Sequence, residues 1–359
     1  MSNQCEPIRQ EYGGLKTLKQ EFDLAYTEAA STGDLAKTKQ LKAELEQKIE
    51  ALQNKVWPFE ALRQKELKEQ YESQKNILER LGILKKLSSG ADGLLGIDNK
   101  EYGLPSYAEI SRSLRQSREW LKTKTEQGFN QLLIVPFGLS LDDLIEKCRQ
   151  VILRHHQAGQ LLAAKENPAD PDEPLELDES QPFSFWDDYQ NADINGKLVY
   201  FPEEFSQNHR GKTKKEVLKK QGGWTVLLLE NLPNIPRQGQ GQEIKGRKQL
   251  EAGQMPNQYL EILKTDVSYK NETGMTPEEQ IIYTIKHLEQ TNQVIDDYQG
   301  HGRIAYNLGG YFPAGDGVPC ANWLRGDRQT NFYSRNPKHR DDRFGVRGAV
   351  RVEILKFKP

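Results

Sequence analysis

Residue types that carry out covalent or metal chemistry are sparse in this sequence. Its three cysteines, Cys5, Cys148 and Cys320, stand far apart. Their odd number and wide spacing indicate a reducing compartment or a fold that does not depend on disulfides. No pair of potential ligands has the spacing of a zinc site. The sequence therefore predicts no metal site and no cofactor.

Two adjacent pairs of titratable residues are better explained by secondary structure than by chemistry. His155 and His156 lie on an amphipathic helix predicted from Leu141 to Gln157, where neighbouring side chains point about 100° apart and cannot share one metal ion. Asp187 and Asp188 lie between two strand-like segments, where neighbouring side chains face opposite sides of a sheet. We therefore expect no shared catalytic role for either pair.

Two further segments resemble binding motifs only in part. Gly211-Lys212-Thr213 has the end of a phosphate-binding loop, but Ser206 stands where that motif needs glycine, and no buried strand precedes it. Residues 166–182 are rich in proline and acidic residues but lack the alternating ligands and central glycine of a calcium loop. A solvated loop is the expected structure there.

Length and composition set the class of protein. The 359 residues suffice for two or three domains, and 28% charged residues with a net charge of −2 indicate neither a global nucleic-acid partner nor a membrane partner. The N-terminus lacks the apolar segment of a secretory signal, and no apolar run is long enough for a membrane span. The sequence predicts a cytoplasmic protein or one exported without a Sec signal.

Residues 15–87 predict three helices. After a break at Thr32-Gly33-Asp34, apolar residues recur at helical spacing in Leu41, Leu45 and Ile49, and Leu15 to Tyr26 carry a matching face. This pattern predicts a helical hairpin or antiparallel coiled coil, with Trp57-Pro58 as the next boundary and a third helix reaching Leu87. Three roles stay open for these helices: oligomerisation, docking of a partner, or a bundle that packs on its own chain.

The middle of the chain mixes both types of element. Ser88 to Gly93 is small and polar and predicts a linker, so we place a helical region at 1–88 and an α/β connecting region at 94–180. Trp224 to Leu229 is the most apolar segment and predicts a central strand. A later helix begins at Thr276-Pro277 with capping signals. We place a third domain at 181–359.

The C-terminal end alternates framework and polar segments. Arg303 to Leu308 and Val346 to Val352 each alternate with the period of a half-buried strand. The interval between them has no periodicity, yet it contains Trp323, Phe332, Tyr333 and Phe344, which argues against disorder. We predict that this insert is a displayed surface.

The insert also has an unusual composition. Residues 320–344 contain five Arg, three Asp and three Asn but no Glu and one Lys. An asparagine codon with both adenines randomised encodes Asn, Ser, Asp, Tyr, Arg, Phe and other residues, but never Glu, Lys, Gln, Met or Trp. Most of the insert uses that set.

In these residues the chain resembles the variable proteins of diversity-generating retroelements. VPCANWLRGDRQTNF and RFGVRGAVRV are similar to the ends of variable proteins from uncultured, ultra-small bacteria. The resemblance implies an α+β fold: an N-terminal helical hairpin or coiled coil, an α/β region, and a C-terminal C-type-lectin-like domain whose variable region is about 320–344.

The resemblance implies a ligand-binding protein of the receptor or adhesin kind, which is not an enzyme. Its partner would be an unknown protein or other macromolecule, held by aromatic and short polar side chains. Trp323, Gln329 and Lys338 fall outside the adenine-derived set and are expected to be framework, together with Gly345, Arg347 and Gly348. The predicted ligand-binding residues are Asn322, Leu324, Asp327, Thr330, Asn331, Phe332, Tyr333, Arg335, Asn336, Arg340, Asp341 and Phe344.

Two alternatives remain at this point. A coiled-coil scaffold or nucleic-acid binder would use the N-terminal helices and the insert, which has six basic side chains against three acidic ones. A formylglycine-generating enzyme shares the lectin-like fold, but such enzymes resemble one another in a pair of reactive cysteines. Here Cys320 has no neighbouring cysteine, so the enzyme is the weaker alternative.

Overall fold

The computed structural model describes residues 5–32, 36–56, 58–167, 169–186 and 189–354. Within those ranges the chain forms nine α-helices and seventeen β-strands, which is a mixed α+β fold. The predicted boundaries at residues 33–34 and Trp57, and the pair Asp187 and Asp188, lie outside them. The helices are α1 (Cys5–Thr32), α2 (Ala36–Val56), α3 (Pro58–Arg80), α4 (Tyr107–Gln116), α5 (Arg118–Glu126), α6 (Leu141–Gln157), α7 (Lys214–Gln221), α8 (Pro256–Thr265) and α9 (Pro277–Thr291).

The strands form two larger sheets and three small ones. They are β1 (Lys85–Lys86), β2 (Asp92–Leu95), β3 (Glu101–Gly103), β4 (Phe129–Val135), β5 (Phe183–Phe185), β6 (Val199–Tyr200), β7 (Thr225–Glu230), β8 (Glu243–Ile244), β9 (Arg247–Lys248), β10 (Glu272–Gly274), β11 (Asp297–Tyr298), β12 (Ile304–Tyr306), β13 (Gly310–Tyr311), β14 (Val318–Leu324), β15 (Gln329–Arg335), β16 (Phe344–Val346) and β17 (Gly348–Val352).

The chain divides into two compact units, Met1–Glu69 and Gln70–Pro359. In the first unit α1 packs on α2 through buried Leu18 and Ala25, and Thr38 donates a hydrogen bond to the carbonyl of Ala25 at 3.2 Å. Tyr26 and Ile49, which belong to the predicted apolar faces, are 61% and 37% exposed. Only part of each predicted face is therefore buried within this unit.

The segment predicted as a linker is folded. α3 ends at Arg80 because Gly82 adopts a φ of +66°, which lets the N–H of Ile83 donate to the carbonyl of Leu78 at 3.0 Å. The chain then forms the antiparallel pair β1–β2, and residues 88–91 lie in its turn. The prediction of a third helix reaching Leu87 is therefore wrong.

An antiparallel four-stranded sheet runs in the order β10-β17-β7-β4. β7 is buried along its whole length between β17 and β4, which confirms the central strand predicted from its apolar sequence. β4 comes from the region predicted to connect domains, so that region supplies one edge of this sheet.

The free edge of β4 is covered by two glutamines of α3. The side chain of Gln70 accepts from the N–H of Leu132 at 2.7 Å and donates to the carbonyl of Asn130 at 3.0 Å. Gln74 makes the same pair of bonds with the N–H and C=O of Ile134, both at 2.9 Å. Because an unpaired sheet edge invites pairing with another chain, this arrangement protects β4.

A mixed sheet in the order β16-β12-β14-β15-β5 contains the insert, with β11 also paired to β14. The insert is not structureless, because β14 and β15 form an antiparallel hairpin from Val318 paired with Arg335 to Leu324 paired with Gln329. The sequence does not predict this hairpin, because Pro319 interrupts the alternation typical of a strand and asparagines, which have low β propensity, occupy one face.

The last predicted strand is two strands in different sheets. β16 pairs with β12 and β17 pairs with β7 and β10, and the chain passes from one sheet to the other at Arg347. The sequence pattern missed this junction because both strands are almost wholly buried and keep apolar residues in alternate positions. In the ranges that are described, no helix is long and apolar enough to cross a bilayer.

Candidate functional site

One face of the six-stranded sheet forms an open pocket of about 460 Å³. The register of the β14–β15 hairpin places Asn322 opposite Asn331 and Leu324 opposite Gln329. Because alternate side chains of a strand project to the same face, these four side chains line the pocket together. Ser184 of β5 is paired with Asn331 and extends the lining beyond β15.

The same face becomes an apolar core at its other end. There Tyr306, Cys320 and Val346 pack in one cluster with Tyr259 and Leu263 of α8. The sheet is thus closed over its apolar end and open over its polar end. Burial of the apolar end fixes the strands that position the pocket residues.

Eight of the predicted ligand-binding residues line the pocket. Three others lie in the β15–β16 loop: Asn336 donates to Asp316 at 2.8 Å, Arg340 donates to the carbonyl of Gly253 at 3.1 Å, and Asp341 pairs with Arg343. The eight pocket residues are Asn322, Leu324, Asp327, Asn331, Phe332, Tyr333, Arg335 and Phe344.

The structure corrects the interpretation of Thr330 and Phe332 as a displayed surface. Thr330 is buried and pairs with Trp323 on the opposite face of the hairpin. Phe332 borders the pocket, but the residue is 1% exposed, and its ring lies 5.9 Å from the ring of Phe185 and 6.3 Å from that of Tyr189. Strand alternation turns both side chains towards the interior.

Asn322 is the most unusual polar residue of the pocket. It is 4% exposed, and neither its amide nitrogen nor its amide oxygen has a hydrogen-bond partner among the described residues. The oxygen of Asn331, directly across the hairpin, is likewise buried and without a partner there. Buried amides are almost always paired, so the unpaired carboxamide of Asn322 beside the unpaired oxygen of Asn331 in an open pocket indicates a place for a ligand.

Aromatic side chains border these amides. Trp186 is 47% exposed, stacks on Tyr189 at 5.6 Å and lies 6.1 Å from the ring of Tyr333. Burial raises the pKa of the Tyr333 hydroxyl, which keeps it neutral. The guanidinium of Arg335 lies 4.7 Å from the Tyr333 ring. The pocket therefore offers flat apolar surfaces beside hydrogen-bonding groups.

The β15–β16 loop is held by an ion pair. Arg343 donates from Nε to Asp341 at 2.7 Å and from Nη1 to the hydroxyl of Tyr298 at 3.2 Å. The hydrogen bond from Arg343 lowers the pKa of Asp341 to about 2. Arg343 and Tyr298 both line the pocket, so this ion pair fixes one wall.

The residues predicted as framework lie in closely packed surroundings. Arg347 is 3% exposed, donates to the carbonyl of Leu232, and pairs with Asp296 at 2.8 Å. A Cβ at Gly345 would lie 2.6 Å from the side chain of Ile235. At Gly348 it would lie 2.8 Å from Glu272, and Trp323 is 1% exposed. This packing supports structural roles for all four.

Several residues that line the pocket were not predicted from the sequence. Ser184 and Trp186 reach the site because β5 pairs in parallel with β15, and a pairing between such distant segments leaves no local pattern. Gln329 was expected to be framework, yet it lines the pocket. His339 and Arg343 lie inside the insert and could have been included on their polar, loop-like context alone.

The described residues contain little that supports covalent or metal chemistry. Burial raises the pKa of the Cys320 thiol and raises that of Cys148 to about 12, so neither is a ready thiolate. His155 lies 3.7 Å from Glu289, while His156 contacts Glu179 at 3.0 Å, so the two have separate partners. Within these ranges no group of three or more His, Cys, Asp or Glu is placed to hold a metal ion.

Comparison of the chain with protein-family models, with curated proteins and with solved structures finds no match in any of the three. The pocket must therefore be interpreted from its own residues.

Proposed function

We propose that this protein binds a macromolecular ligand in the pocket of the β14–β15 hairpin, as a variable protein of a diversity-generating retroelement with a C-type-lectin-like domain. The main support is that eight of the twelve predicted ligand-binding residues, which come from the adenine-derived set, line one pocket around the unpaired amide of Asn322. The fold brings these residues of β14, β15 and β16 and of the β14–β15 turn to one concave surface.

The chemistry of the lining supports recognition. Leu324, Asn331 and Tyr333 are partly exposed side chains on rigid strands, and they combine apolar area with hydrogen-bonding groups. The packed face behind them, with Trp323 and Phe332, holds the backbone in place. Exposed positions on a fixed backbone tolerate substitution, which is what a diversified surface requires.

The charges argue against nucleic-acid binding by the insert. Arg325 donates to Asp297 at 2.8 Å and to Glu173 at 2.5 Å, and Arg328 lies 3.3 Å from Glu176. Acids outside the insert thus neutralise much of the positive charge that its sequence shows, and Arg343 is neutralised by Asp341. A phosphate backbone needs unpaired cations.

A pair of displayed libraries tests binding without knowledge of the natural ligand. One library of full-length chains randomises Leu324, Asn331, Tyr333 and Arg335, and the control library randomises the scattered exposed residues Lys86, Glu203, Lys215 and Lys270. Both are selected on one chosen test protein. We expect folded binders from the pocket library and none from the control. Misfolded chains, or equal yields from both libraries, would refute the proposed function.

The retroelement assignment has its own test in the coding DNA. We expect a near-copy of the 3′ end beside a reverse-transcriptase gene, differing from the coding copy only at adenines. Those differences should concentrate in the codons that line the pocket and spare the codons of Trp323, Gly345 and Gly348. Substitutions spread evenly along the gene would contradict the assignment while leaving the library result untouched.

A further inference from the structure

We propose that Asn322 recognises the backbone amide of an extended acidic peptide segment in a partner protein. This inference rests on the proposed function, because it names the ligand chemistry of the same pocket. Two carboxamides that line the pocket, those of Asn322 and Asn331, face each other across the hairpin.

An asparagine side chain presents a donor and an acceptor side by side. At Asn322 both are buried and have no partner among the described residues. The complementary ligand must therefore offer an acceptor and a donor with the same spacing. A peptide group offers both along an extended chain, and so does the edge of adenine.

The molecule itself contains the corresponding peptide pairing. Gln74 accepts from the N–H of Ile134 and donates to its C=O, at 2.9 Å each. One turn earlier on α3, Gln70 accepts from the N–H of Leu132 and donates to the C=O of Asn130. A carboxamide beside an extended backbone is thus a geometry that this fold already uses. At Asn322 the same group lines an open pocket, and its two polar atoms have no backbone partner among the described residues.

The charges favour a peptide over a nucleotide. Arg335 has no acidic partner among the described residues, while Arg343 is paired with Asp341 and Asp327 stands exposed on the lining. A single unpaired guanidinium suits one carboxylate, whereas Asp327 would repel a phosphate chain. The ligand is therefore a peptide with an acidic side chain.

The strand geometry sets the spacing within that peptide. Asn331 and Arg335 lie on the same face of β15 four residues apart, a separation of about 13 Å at the rise of a strand. A peptide that runs along β15 would place its acidic side chain about four residues from the backbone amide held by Asn322 and Asn331. Trp186 beside Tyr333 gives an apolar side chain a surface between them.

Selection of displayed random peptides on the immobilised full-length chain tests this inference. We expect recovered peptides to share an Asp or Glu and, about four residues away, a position that tolerates any side chain because it is held through its backbone. By calorimetry, one synthetic recovered peptide should bind Asn322→Leu about tenfold or more weakly. Arg335→Glu should shift the selection from acidic to basic peptides.

Two controls separate recognition from folding. Asn322→Leu should unfold at the same temperature as the parent or higher, because it removes a buried polar group that has no partner. Asn307 is also fully buried with an unpaired amide among the described residues, but it does not line the pocket, so Asn307→Leu should leave peptide affinity unchanged. Asn322→Asp, which keeps the size but loses the donor, should weaken binding as Asn322→Leu does.

Three results would overturn the inference. The first is equal peptide affinity of the parent and Asn322→Leu, and the second is a lower unfolding temperature for Asn322→Leu, which would make Asn322 structural. The third is that every recovered peptide also binds the Asn322→Leu chain. If oligosaccharides or oligonucleotides bind in an Asn322-dependent way while peptides do not, the peptide assignment fails and ligand binding by the pocket stands.

Discussion

Gln74 and Asn322 are two buried carboxamides with opposite surroundings. Gln74 lies against the edge of β4, where its oxygen and nitrogen are both hydrogen-bonded to Ile134. Asn322 lies in the β14 wall of an open pocket, where neither atom has a partner among the described residues. A buried polar group that is paired stabilises its own fold, whereas an unpaired one beside open space is available to a ligand.

Arg247 and Arg335 differ in the same way, because the first has acidic partners and the second has none among the described residues. Arg247 is fully buried, contacts Glu272 at 2.7 Å and Glu230 at 3.0 Å, and lies 4.7 Å from the ring of Phe129. Arg335 is exposed and has a tyrosine ring but no acid beside it among the described residues. Arg247 is therefore part of the core beside the four-stranded sheet, whereas Arg335 is part of the pocket.

Removal of Arg247 should have the largest effect. Arg247→Met leaves Glu230 and Glu272 buried without their main partner, and breaking a buried ion pair costs about 3–5 kcal/mol. Urea unfolding should show this loss, while Arg335→Met should change the free energy of unfolding by less than ~0.5 kcal/mol. Similar costs for the two variants would remove the distinction between core and pocket arginines.

The next largest effect should be a difference in stability between substitutions on the two faces of β15. Phe332→Ala removes a ring buried against Phe185 and Tyr189, at a cost of about 3 kcal/mol. Asn331→Ala, on the pocket face, should cost less than ~0.5 kcal/mol because its oxygen has no partner to lose among the described residues. Thermal unfolding of both variants checks this. A harmless Phe332→Ala would restore Phe332 to the displayed surface.

Substitution of the two carboxamides should change the free energy of unfolding in opposite directions. Gln74→Leu leaves the N–H and C=O of Ile134 unpaired, and each buried group left unpaired costs on the order of 1–3 kcal/mol. Asn322→Leu should cost nothing or stabilise. Chemical unfolding of the two variants under one set of conditions measures the difference, and a greater loss for Asn322→Leu would reverse the comparison.

The smallest effect concerns pH. The pKa of Asp341 is lowered to about 2 in the folded protein from 3.8, so its ion pair with Arg343 stabilises the fold above about pH 4 and this contribution disappears as the pH falls towards about 2. Because Arg343 is half exposed, the contribution should be at most ~1 kcal/mol.

Asp341→Asn should accordingly be less stable than the parent at neutral pH and equal to it near pH 2. Asp327→Asn is the control, because exposed Asp327 has no ion pair among the described residues and its substitution should give no pH-dependent difference. A pH-independent difference for Asp341→Asn would show that the Asp341 carboxylate is not stabilised by Arg343.

Local pattern predicted much of the framework. The run of apolar residues in β7 indicated a buried central strand, and Thr276 with Pro277 indicated the start of α9. The asparagines and tyrosine of the insert predict a recognition surface, and Asn322, Asn331 and Tyr333 line the pocket. These features depend on side-chain type and short-range spacing, which a sequence displays directly.

Other features of the fold depend on which strands pair with each other. Nothing in the sequence around Arg347 indicates that the chain changes sheets there, because both strands are buried and look alike. The parallel pairing of β5 with β15, which brings Ser184 and Trp186 to the pocket, joins segments far apart in the chain. Strand partners are chosen by packing over the whole unit and not by neighbouring residues.

The chemical character of the pocket lining follows from the amino-acid sequence, which supplies its amides, aromatic rings and arginines. Which of these side chains face outward depends on the pairing of the strands. A shift of one residue in strand register exchanges the two faces, so Phe332 and Tyr333, neighbours with similar side chains, lie on opposite faces of β15. The same register places the amide of Asn322 opposite the oxygen of Asn331, and neither has a hydrogen-bond partner among the described residues, because the pairing of a buried amide depends on what the folded chain places beside it.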